Sequence, residues 1–116
     1  MSWEKTLDHY GALIEEKLRQ FFKEAKNAAK AYHPFIEKVY SNIEEFVLRK
    51  GKRLASCSTL LTYKGYSGGI DDRILKVCVG IELYRHCILV HDDLVDKDNL
   101  RRSGKTLHEV FTEKYD

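Results

Sequence analysis

From Val77 to Val90, apolar residues recur at three- and four-residue spacings, and the stretch then runs straight into His91-Asp92-Asp93-Leu94-Val95-Asp96. The spacing of Val77, Cys78, Ile81, Tyr84, Ile88 and Leu89 is that of a buried helix. Three carboxylates at the end of such a helix are costly to desolvate unless something positive neutralises them. On a 3.6-residue period Asp92 and Asp96 share a face one turn apart, with Asp93 turned about 100° away. Two aligned carboxylates suit a hard cation, and Mg²⁺ binds through one or two of them plus the oxygens of a substrate phosphate. The alternative is a solvated acidic helix end.

The residues that follow favour the cation. Asp98 and Leu100 lead into Arg101-Arg102 and then Ser103-Gly104-Lys105-Thr106. Guanidinium forks are the side chains best shaped for phosphate oxygens. Acids for a metal and arginines for an anion together describe a diphosphate site.

The rest of the chain reads as helices with clear punctuation. Leu7, Tyr10, Ile14, Leu18, Phe21, Ala25, Ala28 and Tyr32 keep one face as far as His33-Pro34. Pro34 suits the first turn of a second helix, striped by Ile36, Val39, Tyr40, Ile43, Phe46 and Val47, with Arg49-Lys50-Gly51 as its stop. A third helix carries Leu54, Cys57, Leu60 and Leu61 and breaks over Gly65 to Gly69, after which Asp71 or Asp72 caps the long helix. Thr106 and Glu109 offer a capping box for a last helix near Leu107. Strand alternation is absent, so the class is all-α, with the remaining Met, Tyr and Phe residues assigned to the core.

The 116 residues suffice for one domain, and the near-neutral balance of 20 Lys+Arg against 18 Asp+Glu gives no nucleic-acid footprint. No apolar run reaches the roughly 18 residues of a membrane span. Cys57, Cys78 and Cys87 lack CxxC spacing and read as free thiols of a reducing cytoplasmic compartment; Cys78 and Cys87 read as small buried hydrophobes of the long helix.

The run Asp92-Asp93-Leu94-Val95-Asp96, followed by Arg101-Arg102 and Gly104-Lys105-Thr106-Leu107-His108, resembles the first aspartate-rich motif of the trans-type isoprenyl diphosphate synthases, or polyprenyl synthetases. The Gly-Lys-Arg signature of that family matches Gly51-Lys52-Arg53, about forty residues upstream, and the resemblance covers roughly residues 30 to 111. It implies the N-terminal part of the isoprenoid-synthase helical bundle. Complete family chains are longer and carry a second aspartate-rich motif. Residues 1–116 are therefore expected to be the N-terminal portion of a single polyprenyl synthetase domain, inactive and self-associating alone and homodimeric at full length. The implied reaction joins an allylic diphosphate head-to-tail to isopentenyl diphosphate, giving a linear prenyl diphosphate, with geranylgeranyl diphosphate as the expected product.

The resemblance also implies individual roles. Asp92 and Asp96 hold Mg²⁺ and are the catalytic acids, with Asp93 outside the metal's immediate ligands. Lys52 and Arg102 meet the homoallylic diphosphate, and Arg101 the allylic one. The family usually has a second arginine three residues after the lysine, where this chain has Ala55. Arg85, seven residues before Asp92, stands where the family tends to place His or Gln, and offers to restore that charge; otherwise it pairs with Glu82. Tyr84, Cys87 and Ile88 form the floor that limits product length, or are plain core. His91 and His108 are read as hydrogen-bonded structural residues. Two other readings stand beside the enzyme: a non-catalytic homologous partner subunit, and an unrelated helical module that binds metal or anion.

Overall fold

The computed structural model describes residues 2–49 and 51–115. Met1, Asp116 and Lys50, the middle of the expected stop signal, lie outside them. Helix α1 (Trp3–Tyr32) starts at Ser2, whose hydroxyl accepts from the Lys5 N–H, and ends where His33 turns extended. The Nδ1 of His33 accepts from the Phe35 N–H, so one side chain ends α1 and opens α2 (Pro34–Val47), with Pro34 in its first turn. Gly68 closes α3 (Leu54–Ser67) in the left-handed conformation, φ 83°, which glycine adopts without a Cβ penalty. Asp71 caps α4 (Asp72–Asp96) by accepting from the Ile74 N–H at 3.0 Å, and also accepts from the Tyr63 hydroxyl at 2.7 Å. A last helix, α5 (Leu107–Tyr115), rests against α2 and α4. The class is all-α.

The core lies where α1, α3 and α4 meet, around Ile14, Leu18, Phe22, Cys57, Leu60, Ile74, Cys78 and Val79, with Val47 closing it from α2. Burial pushes the Cys78 thiol up to about 11, so it behaves as a small apolar side chain. No helix among the described residues is long and apolar enough to cross a membrane.

Several stripes fall differently from the sequence reading. In α1 the buried line passes through Phe22 and Ala29, leaving Phe21 partly open and Tyr32 in solvent. The partner changes along the helix: Lys17 and Phe21 line a groove facing α4, whereas Lys26 bonds Glu44 of α2. In α4 the buried register is Ile74, Cys78, Glu82, His86 and Asp93, while Val77, Tyr84 and Ile88 point outward and Cys87 is exposed. Leu54, Phe35 and Tyr66 are likewise exposed rather than core. The structure measures 50 × 34 × 20 Å. Its thin dimension is about two helix diameters, and the face of α4 that carries Val77, Tyr84 and Ile88 lies exposed.

Two further differences lie after α4. Residues 100–105 form a short antiparallel hairpin, β1 (Leu100–Arg101) with β2 (Gly104–Lys105), where no strand was expected. The capping box does not form: the Thr106 hydroxyl donates to the Asp98 carbonyl at 2.9 Å, pinning the hairpin's base instead.

Candidate functional site

The acids sit at the negative end of a helix dipole, where carboxylates are disfavoured, and the last turn of α4 holds no basic residue. Lys97, left-handed at φ 59°, stops the helix and lets the chain double back. The hairpin then returns Arg101 to Asp93. Its Nε–H donates at 3.0 and 2.8 Å to the two carboxylate oxygens, and an Nη2–H donates at 2.8 Å. Asp93 is buried, and its carboxylate raises the Arg101 pKa above the ordinary guanidinium value. Asp92 and Asp96 differ: both are exposed, and neither carboxylate has a hydrogen bond or ion pair among the described residues. The helix thus separates one structural carboxylate from two available ones.

The hairpin's turn carries positive φ at both central residues, Arg102 (51°) and Ser103 (64°), in the manner of a type I′ turn. Left-handed backbone costs roughly 1–2 kcal/mol for each residue with a Cβ. A two-stranded ribbon this short is not stable by itself. Arg49, at the end of α2, supplies the support. Its Nη1 donates to the Arg101 and Lys105 carbonyls at 2.9 and 2.7 Å, while Nε and Nη2 grip Glu45, both at 2.9 Å. The guanidinium lies so flat on Gly104 that a Cβ there would come within 2.7 Å of its Cζ.

A reciprocal contact ties the hairpin to the Gly51-Lys52-Arg53 turn. The Arg102 guanidinium covers Gly51, where a Cβ would meet its Cζ at 2.9 Å. One Nη1–H of Arg102 donates to the Nε2 of buried His86 at 3.1 Å, and the Nδ1–H of His86 donates to the Glu82 carbonyl at 2.7 Å. Burial lowers the His86 pKa below its usual value, which favours the neutral imidazole, and with Nδ1–H on the Glu82 carbonyl its Nε2 is the acceptor. Burial likewise lowers the Arg102 pKa, with the Arg53 charge adding to the effect.

Arg53 anchors the floor of this arrangement. It is left-handed (φ 52°) and buried, with its Nη1–H on Glu82 at 2.9 Å, Nη2–H on the Val47 carbonyl at 3.1 Å and Nε–H on Glu15 at 3.2 Å. The Ser56 hydroxyl donates to the other Glu82 oxygen. Above this network lies a cavity of about 140 Å³ lined by Lys52, Arg53, Leu54, Glu82, Arg85 and Arg102. Four cations face it against one carboxylate, so its chemistry is that of an anion site. The larger groove of about 540 Å³ between α1 and α4 has balanced charge, with Lys17 and Lys76 against Glu24 and Asp72.

Of the expected site residues, Lys52, Arg85 and Arg102 come together on the basic cavity. Arg101 does not join them; it is held on Asp93. Arg85 does not pair with Glu82, which Arg53 has taken. Lys52 bonds Asp8 at 3.2 Å with both side chains largely in solvent, a contact a stronger anion can displace. The expected floor residues separate: Cys87 lines a second, apolar cavity of about 220 Å³ with Phe46, Leu83 and Val90, whereas Tyr84 and Ile88 lie on the outward face. His91 is hydrogen-bonded as expected, through Nδ1 to the Cys87 carbonyl at 2.7 Å, whereas the Nδ1 of His108 is buried with no partner among the described residues.

A sequence model of the polyprenyl synthetase family matches residues 36–115, a span that holds every residue of this cavity and both free aspartates. The chain belongs to the polyprenyl synthetase family. It is 32% identical over 100 residues to a geranylgeranyl pyrophosphate synthase of Geoglobus acetivorans, covering 85% of this chain and 28% of that protein. A short chain isoprenyl diphosphate synthase of Methanocaldococcus jannaschii is 31% identical over 84 residues, 72% of this chain and 25% of that protein. A geranylfarnesyl diphosphate synthase of Aeropyrum pernix is 37% identical over 62 residues, 53% of this chain and 20% of its own. This polyprenyl synthetase chain thus spans about a quarter of the length of the first two relatives. No solved structure matches it.

Reading the family signature residue by residue missed three groups that build the site. Arg49 lies outside the Gly-Lys-Arg signature, Glu82 was weighed only as a partner for Arg85, and His86 was passed over. The available signal was polar residues at 82 and 86 continuing the four-residue step of Ile74 and Cys78.

Proposed function

We propose that these residues form the diphosphate-binding half of a prenyltransferase that joins an allylic diphosphate head-to-tail to isopentenyl diphosphate. The observation that carries the reading is the basic cavity of Lys52, Arg53, Arg85 and Arg102 beside two unpaired carboxylates on the same helix. Arg85 precedes Asp92 by seven residues, about 10 Å along α4 at 1.5 Å per residue. That separation suits two diphosphates bound side by side, one on the basic cavity and one at the acids.

Lys52, Arg85 and Arg102 bind the homoallylic diphosphate in this reading, with Arg85 supplying the charge missing at the exposed Ala55. Asp92 and Asp96 fit Mg²⁺ by donor chemistry: two free carboxylates, with the substrate's own oxygens completing the shell. Among the described residues no group of three or more His, Cys, Asp and Glu is placed to hold a metal ion. Mg²⁺ bound there would take up the charge that develops on the departing diphosphate. Arg101, its charge already balanced by Asp93, meets the same leaving group in this reading through N–H groups other than the Nε–H and Nη2–H held by that carboxylate. The apolar outward face of α4, with Val77, Tyr84 and Ile88, forms one wall of the dry cavity an allylic cation requires. An open, thiol-bearing position at Cys87 favours a product longer than farnesyl, and geranylgeranyl diphosphate is the product proposed. Loss of the arginine at position 55 would also suit a non-catalytic partner subunit, but Arg85 on the cavity, without an ion pair among the described residues, supports substrate binding.

The test is incorporation of radiolabelled isopentenyl diphosphate by the protein that carries these residues, with Mg²⁺ and an allylic diphosphate. Asp92→Ala and Asp96→Ala should each lower turnover about a hundredfold, the size of losing one electrostatic stabiliser of a leaving group. Unchanged turnover in both would overturn the metal assignment.

A further inference from the structure

We propose that His86 is a positioning residue: as a neutral acceptor it holds the Arg102 guanidinium over Gly51, so that the remaining N–H groups face the basic cavity. The inference rests on the reading of that cavity as a diphosphate site and adds a residue to it. Arg102 sits in a left-handed turn of an exposed two-residue hairpin, and a long side chain leaving such a turn has many rotamers available. Two contacts select one of them. Gly51, lacking a Cβ, admits the guanidinium to within contact of the backbone, and the Nε2 of His86 receives an Nη1–H at 3.1 Å.

The chemistry of this acceptor is specific. The Nδ1 of His86 is committed to the Glu82 carbonyl at 2.7 Å, which places the ring proton there and leaves Nε2 with a bare lone pair. The groups facing the ring are Glu82 of its own helix, Arg53 from the start of α3, Arg102 from the hairpin and the Phe46 ring of α2, edge-on at 6.0 Å between centroids. Protonated, the ring would present an N–H to a guanidinium. Burial and the two neighbouring arginines oppose that state. A carboxylate in the same place would hold Arg102 harder but would cancel the charge that the cavity needs for an anion. A neutral acceptor orients the cation and leaves its charge available.

The experiment is a calorimetric titration of inorganic pyrophosphate into the full chain, its Arg102→Ala variant, and His86→Leu and His86→Gln. His86→Leu should raise Kd about tenfold, and His86→Gln, whose amide oxygen can replace Nε2, should return it to within about threefold of the parent. In the Arg102→Ala background, His86→Leu should add nothing further, because the residue acts only through Arg102. Nitrogen-15 shifts of the unmutated chain give a check that needs no variant: His86 should be the neutral Nδ1–H tautomer. An Nε2–H tautomer, equal Kd in the parent and His86→Leu, or additive losses in the double variant would overturn the proposal. If the parent chain does not bind pyrophosphate, or Arg102→Ala leaves its Kd unchanged, the diphosphate reading itself falls.

Discussion

Replacing Arg53 by methionine tests whether the floor of the basic cavity is as dry as its geometry requires. Both partners of the Arg53–Glu82 pair are almost wholly buried, their side chains 0% and 2% exposed. Removing the guanidinium strips from Glu82 its 2.9 Å charge-assisted bond and leaves a buried carboxylate whose remaining hydrogen bond, among the described residues, is from the Ser56 hydroxyl. It also removes the 3.1 Å bond that the Val47 carbonyl accepts from Arg53. Breaking one side of a buried pair costs about 3–5 kcal/mol, because the surviving charge remains desolvated. A domain of this size has a total stability of about 5–15 kcal/mol, so the variant should lie near the edge of folding. With a urea dependence of about 1–3 kcal/mol per molar, the midpoint should fall by roughly 2 M, read by circular dichroism at 222 nm. Arg53→Met/Glu82→Leu, which removes both charges, should recover most of that loss, since apolar replacement of a whole buried pair is often neutral. A single variant unfolding within about 0.5 M of the parent, or a double variant no better than the single, would refute the argument. Water or another cation would then be serving Glu82.

Arg85→Ala in the active protein should raise the Michaelis constant for isopentenyl diphosphate about tenfold, the worth of one charge-assisted contact, and Ala55→Arg should restore part of it. Steady-state kinetics decide this, and an unchanged constant would make Arg85 a solvated surface residue. Cys87→Phe should shorten the prenyl product, because a ring at this exposed position can project past the small cavity it lines onto the outward face. Tyr84→Ala should lengthen it by opening the outward face. Chromatography of the products is the readout, and a parent that stops at farnesyl would remove the basis for both.

Sequence alone determined the helices and the chemistry of the motif. His33-Pro34, Gly68 and Asp71 act on backbone within a few residues of themselves, so each boundary follows from local rules. Asp92 and Asp96 share a face because α-helical rise and twist are constant, and their separation from Asp93 needed no tertiary information. The choice of buried face on α4 did need it. The line Val77, Ile81, Tyr84 and Ile88 and the line Ile74, Cys78, Glu82 and His86 both recur at helical spacings, and hydropathy favours the first. The second is buried because Arg53 and Ser56 of α3 reach Glu82, and Arg102 of the hairpin reaches His86, so the polar groups are satisfied across helices. Hairpin β1–β2 was illegible for a similar reason. Its turn residues, Arg102 and Ser103, are poor choices for positive φ, and the strands form because Arg49, some fifty residues earlier, bonds the carbonyls at Arg101 and Lys105. Local rules place residues along each helix, but pairing between groups distant in sequence exists only once the helices are packed. That pairing assigned Arg101 to Asp93 and Arg102 to His86, leaving Arg85 on the cavity without an ion pair among the described residues.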